Sequence, residues 1–138
     1  MRKRFEQQMT LGTIPVGETK ITTKKRSGPL PAMCAALKEI FTSPKWNEKV
    51  FEILESKITE GKKRTGRPGM DLWQIFVLSQ VRLCLNISYN DLHHIVNNDH
   101  LIRQIMGVER DLGMKDMSLN IRTLLIMSVC WTTRLCMN

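Results

Sequence analysis

The features that mark a catalyst or a membrane protein are scarce in this chain. Its 13 Asp and Glu are scattered, and none forms a carboxylate cluster that would hold metal ions. No Gly-rich phosphate loop is present. The stretch "GKKRTGRPG" at residues 61–69 lacks the required spacing and precedes no Lys-Ser/Thr pair. Of the four cysteines, Cys34, Cys84, Cys130 and Cys136, none belongs to a C-x-x-C pair, and no Cys/His or Ser/His pairing stands out. They read as reduced, buried or incidental thiols of a cytosolic protein. His93 and His94 are adjacent, so they point apart on a helix. No two His stand four apart, and neither His100, Asp91 nor Asp99 completes a ligand set. No metal or cofactor is assigned to the chain.

Long apolar runs are missing too. The longest, Leu72 to Leu85, is interrupted by Gln74, Ser79, Gln80 and Arg82. It is too short and too polar to span a bilayer. The opening "MRKRFEQQMTLGTIPVGETK" has no apolar stretch of signal-peptide length. The expectation is a soluble, cytoplasmic protein with no membrane partner and no small-molecule substrate.

What the chain has is positive charge, unevenly placed. Lys and Arg number 21, giving a net charge of +8 over 138 residues, which suit one small domain with flexible ends. Residues 1–67 hold 15 Lys/Arg against 7 acids, whereas residues 68–138 hold 6 of each. The whole surplus lies in the first half. That sign favours a polyanion partner without saying anything of fold.

Helical patterning fills the middle. Residues 1–29 are basic and broken by Gly and Pro, so they read as an irregular, flexible arm. "PAMCAALKEIF" at 31–41 is rich in helix formers, with Pro31 in the first turn. Ser43-Pro44 ends that helix and starts another, with Ser43 as its cap. There Trp46, Val50, Phe51, Leu54 and Ile58 follow at helical spacing, and Gly61 closes it. Residues 70–85 are apolar on most sides, as a central helix must be. Ser88 opens a further helix with Asp91 in its first turn, Asn97-Asn98 makes a turn, and Asp99 caps a last short helix closed by Gly107. The expected fold is an all-α bundle of about five helices, including a helix-turn-helix-like pair at 87–107. The module spans 30–112, and residues 113–138 form an aberrant tail with no acid, Gly or Pro beyond Asp116.

Two segments suggest contact with nucleic acid. Gly66-Arg67-Pro68, beside Lys62, Lys63 and Arg64, resembles the core of an AT-hook, in which Arg lies along a narrow A·T minor groove. Thr65 stands where a second Arg is usual, and a solvated linker is the competing reading. In the helical pair, His100, Arg103 and Gln104 stand where a recognition helix would present base contacts. The near-neutral local charge favours an ordinary helical hairpin instead.

The run "GRPGMDLWQIFVLSQVRLCLNISYNDLHHIVNNDHLIRQIMGV", residues 66–108, resembles the InsH-type N-terminal helical module of bacterial insertion-sequence DDE transposases, and the upstream segments are similar to the ISNCY group. The resemblance covers about residues 1–116 and implies binding of element-end DNA or assembly of the transposition complex. It places chemistry in a following RNase H-like domain that uses divalent metal such as Mg. No residue here matches the family's catalytic acids. The expectation is therefore a non-enzymatic portion truncated before that domain, its tail arising from a frameshift near Met117. Lys62, Lys63, Arg64 and Arg67 are the expected phosphate or minor-groove contacts. Lys24, Lys25 and Arg26 form a second cluster, and Arg103 and Gln104 are the expected base contacts. Expected partners are DNA and a second copy or full-length transposase. The alternatives are a protein-interaction bundle that inhibits transposition by mixed assembly, and a non-functional gene remnant.

Overall fold

The computed structural model describes residues 3–7, 13–24, 28–59 and 70–108. Among them are five α-helices and no strand: α1 (Pro29–Thr42), α2 (Pro44–Leu54), α3 (Leu72–Leu85), α4 (Tyr89–Asn98) and α5 (His100–Met106). A short 3-10 turn, Val16–Glu18, precedes them, and α2 loosens into a π-helical turn at Glu55–Thr59. None of these helices is long and apolar enough to cross a membrane.

Local chemistry sets the helix ends. Gly28, at φ 71° and ψ −171°, holds a conformation that only glycine takes readily, and Pro29 and Pro31 follow in the first turn of α1. Ser43 is extended, as a residue before proline tends to be. It occupies the cap position of α2, but its hydroxyl makes no capping bond. Asn47 does related work, its Nδ2 donating to the Phe41 carbonyl at 3.1 Å. That carbonyl is among those left without partners at the end of α1. Asn86 ends α3 in the left-handed region at φ 49°. Ser88 Oγ accepts from the Asp91 N–H, and Asp99 Oδ1 accepts from the Ile102 N–H, so both expected caps form. The expected turn at Asn97-Asn98 does not form. α4 runs through both residues, whose side-chain amides donate to the His93 and His94 carbonyls one turn back, and Asp99 alone separates α4 from α5. Gly107 closes α5 with its own N–H on the Gln104 carbonyl and the Val108 N–H on that of Arg103, a Schellman motif.

Helix α3 is the central one. Leu72, Trp73, Ile75, Val77, Leu78 and Val81 are all buried, and α3 touches each of α1, α2, α4 and α5. Trp73 is fully enclosed. Its ring meets Phe41 of α1 at 4.9 Å, and its Nε1–H donates to the Ile105 carbonyl of α5 at 2.8 Å.

The described part of the N-terminal segment is irregular, as expected, but it is not a loose arm. The Lys3 and Arg4 carbonyls accept from the Leu72 and Trp73 N–H groups, and Asp71 Oδ2 accepts from the Glu6 N–H. The bonds to Leu72 and Trp73 supply the N-terminal cap that α3 lacks from its own side chains. Phe5 packs edge-on against Phe41, and further on Val16 and Thr19 are buried. The chain docks because it carries Phe5 and Val16, whose burial an unattached arm would forgo.

Candidate nucleic-acid interface

Positive side chains divide into those bound within the fold and those that face solvent. Arg4 is bound: Nε and Nη2 donate to Glu55 at 2.7 and 3.0 Å, and Nη1 donates to both carboxylate oxygens of Glu48 at 2.9 Å. Its guanidinium also lies 5.7 Å from the Phe51 ring centre. The hydrogen bonds it donates to Glu55 and Glu48 push its pKa further up, while the same bond from Arg4 holds the Glu55 carboxyl below the usual range. Lys3 pairs with Glu6, and Lys38 Nζ donates to the Thr19 carbonyl at 2.8 Å. Arg82 of α3 stacks at 4.3 Å over the Tyr89 ring, joining α3 to α4.

Lys20 and Lys24 differ. Both are exposed, and neither pairs with an acid among the described residues. Lys24 is thus presented to solvent, as a phosphate contact must be. Lys25, Arg26, Lys62, Lys63, Arg64 and Arg67 lie outside the described residues. From the sequence, nothing separates Arg4 from the other basic residues. Its acidic partners lie 44 and 51 positions away. The one local sign is that Glu48 and Glu55, two helical turns apart, share a face of α2.

The helical pair presents few of its expected base contacts: His100 is exposed in the first turn of α5, but most of that helix is buried. Four of the seven residues of α5 are buried, among them Arg103 at 4% exposure. Gln104 is half-buried. A recognition helix must push polar residues of its first turns into a groove, and α5 instead points its Ile102, Arg103, Ile105 and Met106 face into the core. The burial of Arg103 corrects the expectation of an exposed base-reading group at that position, whereas Gln104 keeps part of its surface open. Arg103 is not without a partner inside the fold, and its charge sits favourably in the last helical turn. Helix α4 exposes Asn90, Asp91, His94 and Asn98 but carries no Lys or Arg.

Among the described residues no three His, Cys, Asp or Glu come together to hold a metal ion. Cys34 is buried, and burial foremost pushes its thiol up to about 12, with Asp99 and Cys84 adding to the effect. No family model, curated protein or solved structure matches the chain.

Proposed function

We propose that this chain is the DNA-binding and assembly portion of an insertion-sequence transposase and carries no catalytic activity of its own. The observation that carries the reading is the division of positive charge. Arg4, Lys3, Lys38, Arg82 and Arg103 are bound or buried within the bundle, whereas Lys20, Lys24 and Lys45 stand exposed without an acidic partner among the described residues, and Lys20 and Lys24 lead into Lys25-Arg26. On this reading the DNA contact is made by the 20–26 segment and by "KKRTGR", whose basic residues lie outside the described ones apart from Lys20 and Lys24. The transposase identity rests on the resemblance of residues 66–108. Its helix, Asn-Ile-Ser break and Gly107-closed helix have the order of α3, α4 and α5.

Contacts of this kind are made to phosphates, so affinity falls steeply with salt. Replacing Lys62, Lys63, Arg64 and Arg67 with Ala weakens binding to element-end DNA. It also flattens the plot of log affinity against log salt, by about 0.9 for each phosphate no longer neutralised. A gel-shift titration with unchanged affinity and slope removes this segment from the interface.

A second reading, a protein-interaction module, has its own observation. Trp46, Ile53 and Leu83 are large, apolar and more than half exposed. Co-purification with a full-length transposase, insensitive to nuclease, would separate it from DNA binding.

A further inference from the structure

Helix α2 has two exposed flanks, and one of them is open. With 100° between successive residues, Glu48 and Glu55 share a flank, where Arg4 holds both. Trp46, Val50 and Ile53 share the flank about half a turn away. Trp46 is 53% exposed and Ile53 is 61% exposed, two helical turns apart. Val50 is half-buried and packs against the core from the same side. The Lys49 ammonium lies 5.6 Å from the centre of the Trp46 ring. An apolar stripe of this kind on a helix otherwise carrying Lys and Glu is a contact surface.

We propose that this stripe pairs with the same stripe of a second copy, α2 against α2, antiparallel about a two-fold axis. Charge selects the occupant and the direction. Lys45 and Glu52 are exposed along one border of the stripe, and neither pairs with an opposite charge among the described residues. With the axis between Lys49 and Val50, Trp46 lies against Ile53 of the partner subunit, and the symmetry repeats the contact. Lys45 then lies beside Glu52 of the partner subunit, again twice, while the Lys49 side chains that flank the axis turn back over their own Trp46 rings, away from each other. A parallel pairing would set Lys45 against Val50 and leave its charge unmatched. Three apolar side chains on one helix make a narrow contact beside the ~800 Å² per partner of a standard interface, so the dimer is weak and reversible. The pairing does not depend on the DNA reading.

Sedimentation equilibrium of the full chain without DNA, from about 10 µM to about 1 mM, tests this. A reversible monomer–dimer equilibrium is expected, and Ile53→Asp abolishes it. Lys45→Glu alone, or Glu52→Lys alone, raises the dissociation constant about tenfold, because two attractive border pairs become repulsive. Mixing these two variants restores association, since each offers the other opposite charge, and misfolded chains would not recover in this way. A wild-type chain that stays monomeric overturns the proposal. If Trp46 is then shielded from acrylamide, by difference against Trp46→Phe, another segment of the same chain covers the flank. A dimer indifferent to both charge reversals overturns the antiparallel pairing.

Discussion

Arg4 grips Glu55 with two parallel hydrogen bonds, Nε to Oε1 at 2.7 Å and Nη2 to Oε2 at 3.0 Å. The same side chain reaches Glu48, so one residue near the N-terminus spans two turns of α2 while its carbonyl caps α3. Removing it should loosen α2 from the start of α3. Arg4→Ala is expected to lower the melting temperature and speed hydrogen exchange at the Leu72 and Trp73 amides. Arg4→Lys recovers little of the loss, because an ammonium cannot form the paired bonds.

The same contact has a pH signature. The bond from Arg4 holds the Glu55 carboxyl below its ordinary 4.5, and the bond from Lys3 does the same for Glu6. A depressed folded-state pKa contributes stability above the unfolded value and loses it as pH falls through the folded value. The stability gap between wild type and Arg4→Ala should therefore hold from pH 7 to about 5 and close below the ordinary carboxylate range. Urea unfolding at a series of pH values measures it. A gap that stays constant down to pH 3 would rule out Glu55 as the partner that matters.

Gly107 closes α5 at φ 73°, and a Cβ built there would stand 2.6 Å from Phe5 Cζ. Two costs are thus stacked at one position, a left-handed backbone and a collision with the docked N-terminal segment. Gly107→Ala should destabilise by about 2–4 kcal/mol. In a Phe5→Ala background only the milder approach of Gln7 Cδ at 3.3 Å remains, and the cost should fall towards the backbone share of about 1–2 kcal/mol. Equal costs in both backgrounds would show that Phe5 does not occupy this place in solution.

Trp73 serves as both filler and donor. Its indole N–H satisfies the Ile105 carbonyl, one of the last in α5 and without a partner inside that helix. Trp73→Phe removes volume and leaves the buried acceptor unmet, which should cost about 2–4 kcal/mol in urea unfolding. A loss below about 1 kcal/mol would show that water replaces the indole.

Cysteine labelling offers a separate check on packing. Cys84 is exposed, whereas Cys34 is buried with its thiol pushed up to about 12. Little thiolate is present at Cys34 near neutral pH, and the thiolate is the reacting form. A disulfide reagent at pH 8, followed by peptide mapping, should modify Cys84 in the folded chain and Cys34 only after unfolding.

Helix positions were legible in the sequence because local signals agreed there. Ser88, Asp99 and Gly107 each sit where short-range hydrogen bonds decide the outcome. The α3 pattern named the central helix because apolar residues on nearly every side leave no solvent face. What stayed hidden depends on distant partners. The capping of α3 by Lys3 and Arg4 joins segments more than 60 residues apart, and no local pattern announces it. Asn97-Asn98 reads as a turn by composition, but side-chain amides bonding back to His93 and His94 suit a helix equally well. For the candidate interface, charge placement was legible, and the division between bound and presented charge was not. Lys20 and Lys24 differ from Arg4 only in what lies opposite them once the chain is folded.

That division separates two kinds of arginine and lysine in a binding experiment. Arg103 is buried on the core face of α5, so Arg103→Ala acts on the fold. It should lower stability by about 1–3 kcal/mol. At temperatures where the variant is folded, DNA affinity and its salt dependence should be unchanged. Lys20→Ala and Lys24→Ala act the other way. Both side chains are exposed, so stability should move by less than about 0.5 kcal/mol. Each should flatten the salt dependence by up to about 0.9. Measuring unfolding and salt-dependent binding on the same three variants decides the matter. A normal salt slope for the lysine variants, with a reduced slope for Arg103→Ala, would return the interface to α5.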